Sequence, residues 1–139
     1  MVACIIAAMT TMDFLNVAMR WLHITSMTLL VGGLWFLWQG FEDSESASER
    51  AAARYRPVFL LAAFLVIVSG TYNLLHKTGL TPTYHAVIGI KFLLVLHVLA
   101  AGYFATRPGN ARRRRQAAGA AITGIVILAL SAVLRRLSM

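Results

Sequence analysis

The sequence predicts an all-α integral membrane protein, an up-down bundle of four transmembrane helices, and three observations predict it. Four apolar stretches, at 21–40, 57–76, 83–106 and 117–134, each come close to the ~20 residues that a helix needs to cross a ~30 Å hydrocarbon layer. The 139 residues are 59% hydrophobic and only 13% charged, and the mean hydropathy is +0.72, so the chain cannot supply the polar surface of a soluble domain. The segments between the stretches are short and polar, which makes successive helices antiparallel neighbours and leaves no room for a second domain. No water in lipid can satisfy free backbone groups, so such segments are helical. One domain, 1–139, is expected.

The first helix is predicted at 13–40, projecting beyond the membrane near Met12 and entering it around Arg20-Trp21, where one side chain snorkels and the other anchors. Its Gly32-Gly33 pair permits close approach of a neighbouring backbone, and Trp35, Trp38 and Phe41 mark the inner interface. The segment 42–46 reads as a solvated loop, and its acids with Glu49 (Glu42, Asp43, Glu45) form no convincing carboxylate site. Pro57 is expected to open the second helix, where a missing N–H costs nothing. That helix ends in Ser69-Gly70-Thr71-Tyr72-Asn73-Leu74-Leu75-His76, before a short outer loop of turn formers at 77–82. The third helix opens Thr83-Tyr84-His85 and carries Lys91 and His97 deeper in. In the fourth, the Gly119/Thr123 and Ala120/Gly124 pairs follow the spacing of small residues that lets membrane helices pack, and a structural role is expected. There is no internal repeat or low-complexity stretch. The first eleven residues are weakly committed, and Met12 is as good a start as Met1. Cys4 is the only cysteine, so no intrachain disulfide or multi-cysteine zinc site is possible.

The formal charge of +8 is distributed asymmetrically. Of the thirteen basic residues, Arg50, Arg54 and Arg56, then Arg107 and Arg112 to Arg115, lie after the first and third helices, whereas the opposite side holds Arg20, Lys77, Arg135 and Arg136. The excess puts the 1–2 and 3–4 loops in the cytoplasm, with both termini and the 2–3 loop outside. The partner implied by the four consecutive arginines is the anionic lipid surface of the bilayer, not nucleic acid.

Polar residues in this apolar frame are the candidates for chemistry. His23 and His85 each fall about two residues inside a predicted outer helix end, and His76 closes the second helix, so all three are expected at one rim. Converging neutral imidazoles are the raw material of a metal site; the alternative is interfacial histidines bonded to water or carbonyls. At ~100° per residue, Met12, Met19, His23 and Met27 share one helix face. Thioether plus imidazole suits Cu(I), although methionine is also an adaptable packing residue. Lys91, near the middle of the third stretch, costs ~2.5 kcal/mol or more there. No acidic residue lies within the four stretches, so a bound anion, a haem propionate, a carbonyl or water has to satisfy it, unless it snorkels. His97 lies ~18 Å below His85 on the same helix, so the two cannot share a metal. Either His23 with His85, or His23 with His97 if the first helix enters deeper, would supply the axial ligands of a b-type haem.

The stretch Met19-Arg20-Trp21-Leu22-His23-Ile24 with Gly32-Gly33 resembles the first helix of the copper-resistance D (CopD-like) family. Ser69-Gly70-Thr71-Tyr72-Asn73, Tyr84-His85 and Gly89-Ile90-Lys91-Phe92 extend that resemblance over three helices. It implies copper handling at the cytoplasmic membrane of a bacterium. A more distant resemblance is to HemJ-type protoporphyrinogen oxidases, four-helix proteins with histidines and a helix-three lysine. Three functions are thus expected in order. The first is copper binding at the outer face by His23 and His85, assisted by His76 and by Met19 or Met27, with Lys91 shaping the polar interior. The second is a haem redox protein or porphyrin oxidase using His23 with His85 or His97. The third is an accessory subunit docking into a larger membrane complex, or into a homo-oligomer. No buried carboxylate pair, nucleophile elbow or phosphate-binding loop points to hydrolysis.

Overall fold

A computed structural model describes residues 11–40, 44–76 and 82–137. They form four helices, α1 (Thr11–Gln39), α2 (Glu45–Leu75), α3 (Pro82–Ala105) and α4 (Arg113–Leu137), and no strand occurs among them. Each contains a segment long and apolar enough to cross a membrane: Thr11–Gln39, Glu45–Leu75, His85–Ala105 and Arg113–Ala132. The readings of Cys4, Phe41, Glu42, Asp43 and the outer loop at 77–81 lie outside the described residues.

The register follows from side-chain pairings. On α1 and α2, Asn16 meets Tyr72, His23 meets Ser69, and Leu29 and Leu30 meet Tyr55, so the two helices run antiparallel along most of their length. Val31 packs on Gly124 of α4, while Leu34 of α1 and Phe59 of α2 both pack on Gly102 of α3. The main pairings are α1 with α2, α3 with α4 and α1 with α4; α2 and α3 touch far less and leave the bundle loosely closed on that side. A short connection therefore does not make α2 and α3 close neighbours, because both lean on other helices.

Leu30, Leu34, Phe59, Val66, Ala120, Ala121 and Ile127 form the buried centre. The small residues of α4 bring its backbone close: Ala117, Ala120 and Ala121 are fully buried, in line with the packing role expected of that helix. The Gly32-Gly33 pair divides its duties. A Cβ on Gly33 would run into the Tyr55 ring, whereas Gly32 faces open space. Tyr55 can therefore lie flat across α1, its hydroxyl donating to the Leu29 and Leu30 carbonyls at 2.9 and 3.1 Å. Outside, Trp21, Leu61, Phe64, Phe92, Leu93 and Leu96 are exposed. Water would oppose such a surface, and hydrocarbon accepts it.

The structure corrects several boundaries. α2 begins at Glu45, three turns before Pro57, which lies inside the helix. Ser44 supplies the N-cap, its hydroxyl accepting from the Ala47 N–H at 3.3 Å, and the following residues are mostly Ala, Glu and Arg, good helix formers. The N–H that Pro57 lacks would have met the Ala53 carbonyl, and both residues sit on the exposed side of α2. α4 likewise starts at Arg113 rather than 117, within the arginine run. Glu49 is not merely solvated: its Oε1 accepts from the Gly109 N–H at 2.8 Å, tying α2 to the turn between α3 and α4. Arg113, 5% exposed, completes that junction by donating to the Ala105 carbonyl that ends α3 and to the Arg107 carbonyl, both at 3.1 Å.

Candidate functional site at the level of His23

His23 is set deep in α1, twelve residues from Thr11, or about 18 Å along the axis. Its pairing with Ser69, seven residues before His76, sets it about 10 Å along the bundle from the His76 end of α2. The imidazole faces α2, where Gly70 makes room for it: a Cβ there would stand 3.2 Å from the His23 Cε1. Beside Gly70, the Ser69 hydroxyl lies 3.0 Å from Nδ1.

That contact has a fixed direction. A serine hydroxyl has one proton, and Ser69 Oγ lies 2.5 Å from the Leu65 carbonyl, which can only accept. The Ser69 proton is thereby committed along its own helix, and the His23 Nδ1–H donates to Oγ. The Val66 carbonyl, on the same face of α2, also accepts from the imidazole, so the ring is held by two groups of one helix. A ring oriented by such neighbours is the arrangement of ligating and proton-handling histidines.

Lys91 comes to the same level. Leu34 of α1 touches Gly102 of α3, and the two helices run in the same direction; eleven residues back from each contact stand His23 and Lys91. One residue from each of three helices thus stands at this level: His23 from α1, its partner Ser69 from α2 and Lys91 from α3.

The other histidines are placed elsewhere. His85 and His97 lie six residues to either side of Lys91, about 9 Å above and below it, each turned about 120° from its face. Both are exposed, and His97 rests against α4 with Nε2 3.9 Å from the position of a Gly119 Cβ. His76 caps α2 at the surface, its Nδ1–H donating to the Tyr72 carbonyl at 3.0 Å and its ring stacked 4.0 Å from that of Tyr72. The shared rim of His23, His76 and His85 is therefore not assembled, and no group of three or more His, Cys, Asp or Glu able to hold an ion occurs among the described residues. Met19 and Met27 flank His23 one turn above and below; Met19 is half-buried and Met27 buried. Two turns above the cluster, Tyr72 donates to Asn16 Oδ1 at 3.0 Å, bracing α1 against α2.

Ser69 and Gly70 stand in the sequence only as part of a motif, and nothing in their spacing marks them as partners of His23. The usable signal was a small polar residue followed by glycine opposite a half-buried histidine. No family model, curated protein or solved structure matches the chain.

Proposed function

We propose that the chain is a multi-pass protein of a bacterial cytoplasmic membrane that binds a b-type haem or a related porphyrin between α1, α2 and α3, for electron transfer or porphyrin oxidation. The single observation that carries this reading is the anchoring of His23 at Nδ1 by Ser69 of α2, at the level of Lys91 of α3. His23 serves as axial imidazole, and Lys91 pairs with a propionate, the anionic edge of an otherwise apolar disc. The sparse contact between α2 and α3 offers a lateral entrance from the lipid. Such a group supplies redox chemistry when bound. The protein's own share is to orient His23, to place a positive charge beside it and to keep water away with Val66, Leu30 and Met27. The resemblance to HemJ-type proteins, with their histidines and helix-three lysine, agrees with this pair. The arginine-rich loops face the cytoplasm and the termini face outward.

Copper binding remains the second reading, and the methionines favour it: Met19 and Met27 lie four residues either side of His23, at a spacing that shares a helix face. One experiment separates the two. The detergent-purified protein is titrated with haemin and, separately, with Cu(I). The haem reading expects a shifted Soret band, lost in His23→Ala and kept in His85→Ala and His97→Ala. A colourless protein that takes Cu(I) in a His23- and methionine-dependent manner would replace the first reading with the second.

A further inference from the structure

We propose that the groove between α1 and the first turns of α2 is a binding site for the phosphate headgroup of an anionic phospholipid. This cavity, of about 660 Å³, lies at the arginine-rich end of the bundle, far from the His23 level, and is lined by Phe36 and Leu37 of α1 and by Arg50, Ala51, Arg54 and Tyr55 of α2. Arg50 and Arg54 are four residues apart and so project from one face of α2. Both are exposed, and neither makes a hydrogen bond or ion pair with a described residue.

Nearby arginines are used differently. Arg113 is buried on backbone carbonyls, and Arg56 and Arg107 lie 5.8 and 5.9 Å from the centre of the Tyr103 ring. Arg50 and Arg54 instead flank an opening whose inner wall is apolar. Two guanidinium groups present planar donors that match phosphate oxygens, and Phe36 and Leu37 continue the groove with a surface for the first carbons of an acyl chain. The small side chains of Ala47 and Ala51 leave the space between the helices open. A free phosphate would use the arginines alone. A lipid headgroup uses both halves of the groove, and the membrane brings it to this height.

The test measures the melting temperature of the full-length protein in a neutral maltoside detergent with three additives at equal concentration: dihexanoyl phosphatidylglycerol, dihexanoyl phosphatidylcholine and inorganic phosphate. Phosphatidylglycerol alone should raise the melting temperature of the wild type and of Arg115→Gln, a variant at an exposed arginine outside the groove. In Arg50→Gln/Arg54→Gln its apparent affinity should fall about tenfold or more, the equivalent of one charged hydrogen bond. Native mass spectrometry of protein released from phosphatidylglycerol nanodiscs should show a retained lipid in the wild type and Arg115→Gln and none in the double variant. Equal shifts with both lipids, an unchanged double variant, or a phosphate effect as large as that of phosphatidylglycerol would each overturn the proposal.

Discussion

Ser69 holds the His23 ring in place: its own proton is committed to the Leu65 carbonyl, so its oxygen accepts from Nδ1–H. Ser69→Ala removes the acceptor of the Nδ1–H in a fully buried place, so the variant should lose about 1 kcal/mol of stability, read as a lower melting temperature. Haemin affinity should fall several-fold with it, since the imidazole loses its fixed orientation. Unchanged affinity would mean that the serine is only a packing residue. His23 and Lys91 were legible in the sequence as isolated polar groups in an apolar frame, and their cost to a membrane helix singled them out. Their shared level was not, because a sequence does not give the offset of one helix against another. Only the contact of Leu34 with Gly102 gives the offset between α1 and α3. Ser69 stayed hidden for another reason: serine is ordinary in membrane helices, and its value lies in the partner opposite.

At the scale of elements, the two neighbouring glycines of α1 make a paired prediction. Gly33→Ala pushes a methyl group into the Tyr55 ring, which must leave the Leu29 and Leu30 carbonyls; a loss of about 1–3 kcal/mol is expected. Gly32→Ala meets nothing and should be neutral or slightly stabilising, because alanine is the better helix former. Thermal unfolding of the two variants side by side checks this, and equal effects would remove Tyr55 from its place as the brace between α1 and α2. The sequence shows both glycines as permissive of close approach but cannot say which is approached. A second prediction concerns the junction of α3, α4 and α2. Arg113→Met exposes the Ala105 and Arg107 carbonyls to no donor, and about 2 kcal/mol should be lost, with faster proteolysis around 107–112. Glu49→Gln should cost much less: the acid is half exposed, its Arg113 contact is a long 4.0 Å, and glutamine keeps an oxygen for the Gly109 N–H. The arginine run reads in sequence as a uniform lipid-facing charge, and only the fold separates its buried member from the exposed ones.

For the whole molecule, four apolar stretches were enough to give the helix count and the all-α class, because the thickness of a bilayer dictates the length of apolar run. Their ends were less legible: Ser44 and the alanines after it extend α2 well before Pro57, through residues too polar to register as part of a span. Orientation rests on the loop arginines. In a Cys4→Ser background, Ser46→Cys and Ala111→Cys should resist a membrane-impermeant thiol reagent in intact cells, and His76→Cys should react; the reverse pattern would invert the bundle. On the proposed reading His23 of α1 and Lys91 of α3 form one site, the first for the centre of a porphyrin and the second for its carboxylate edge. Binding of haemin and of haemin dimethyl ester, by Soret titration of wild type, Lys91→Met and His23→Ala, tests that division of labour most directly. Wild type should prefer the free acid about tenfold or more, Lys91→Met should bind both forms alike at the weaker level, and His23→Ala should show no ligated spectrum with either. A Lys91→Met protein that still prefers the free acid, or a His23→Ala protein that retains the wild-type spectrum, would contradict it.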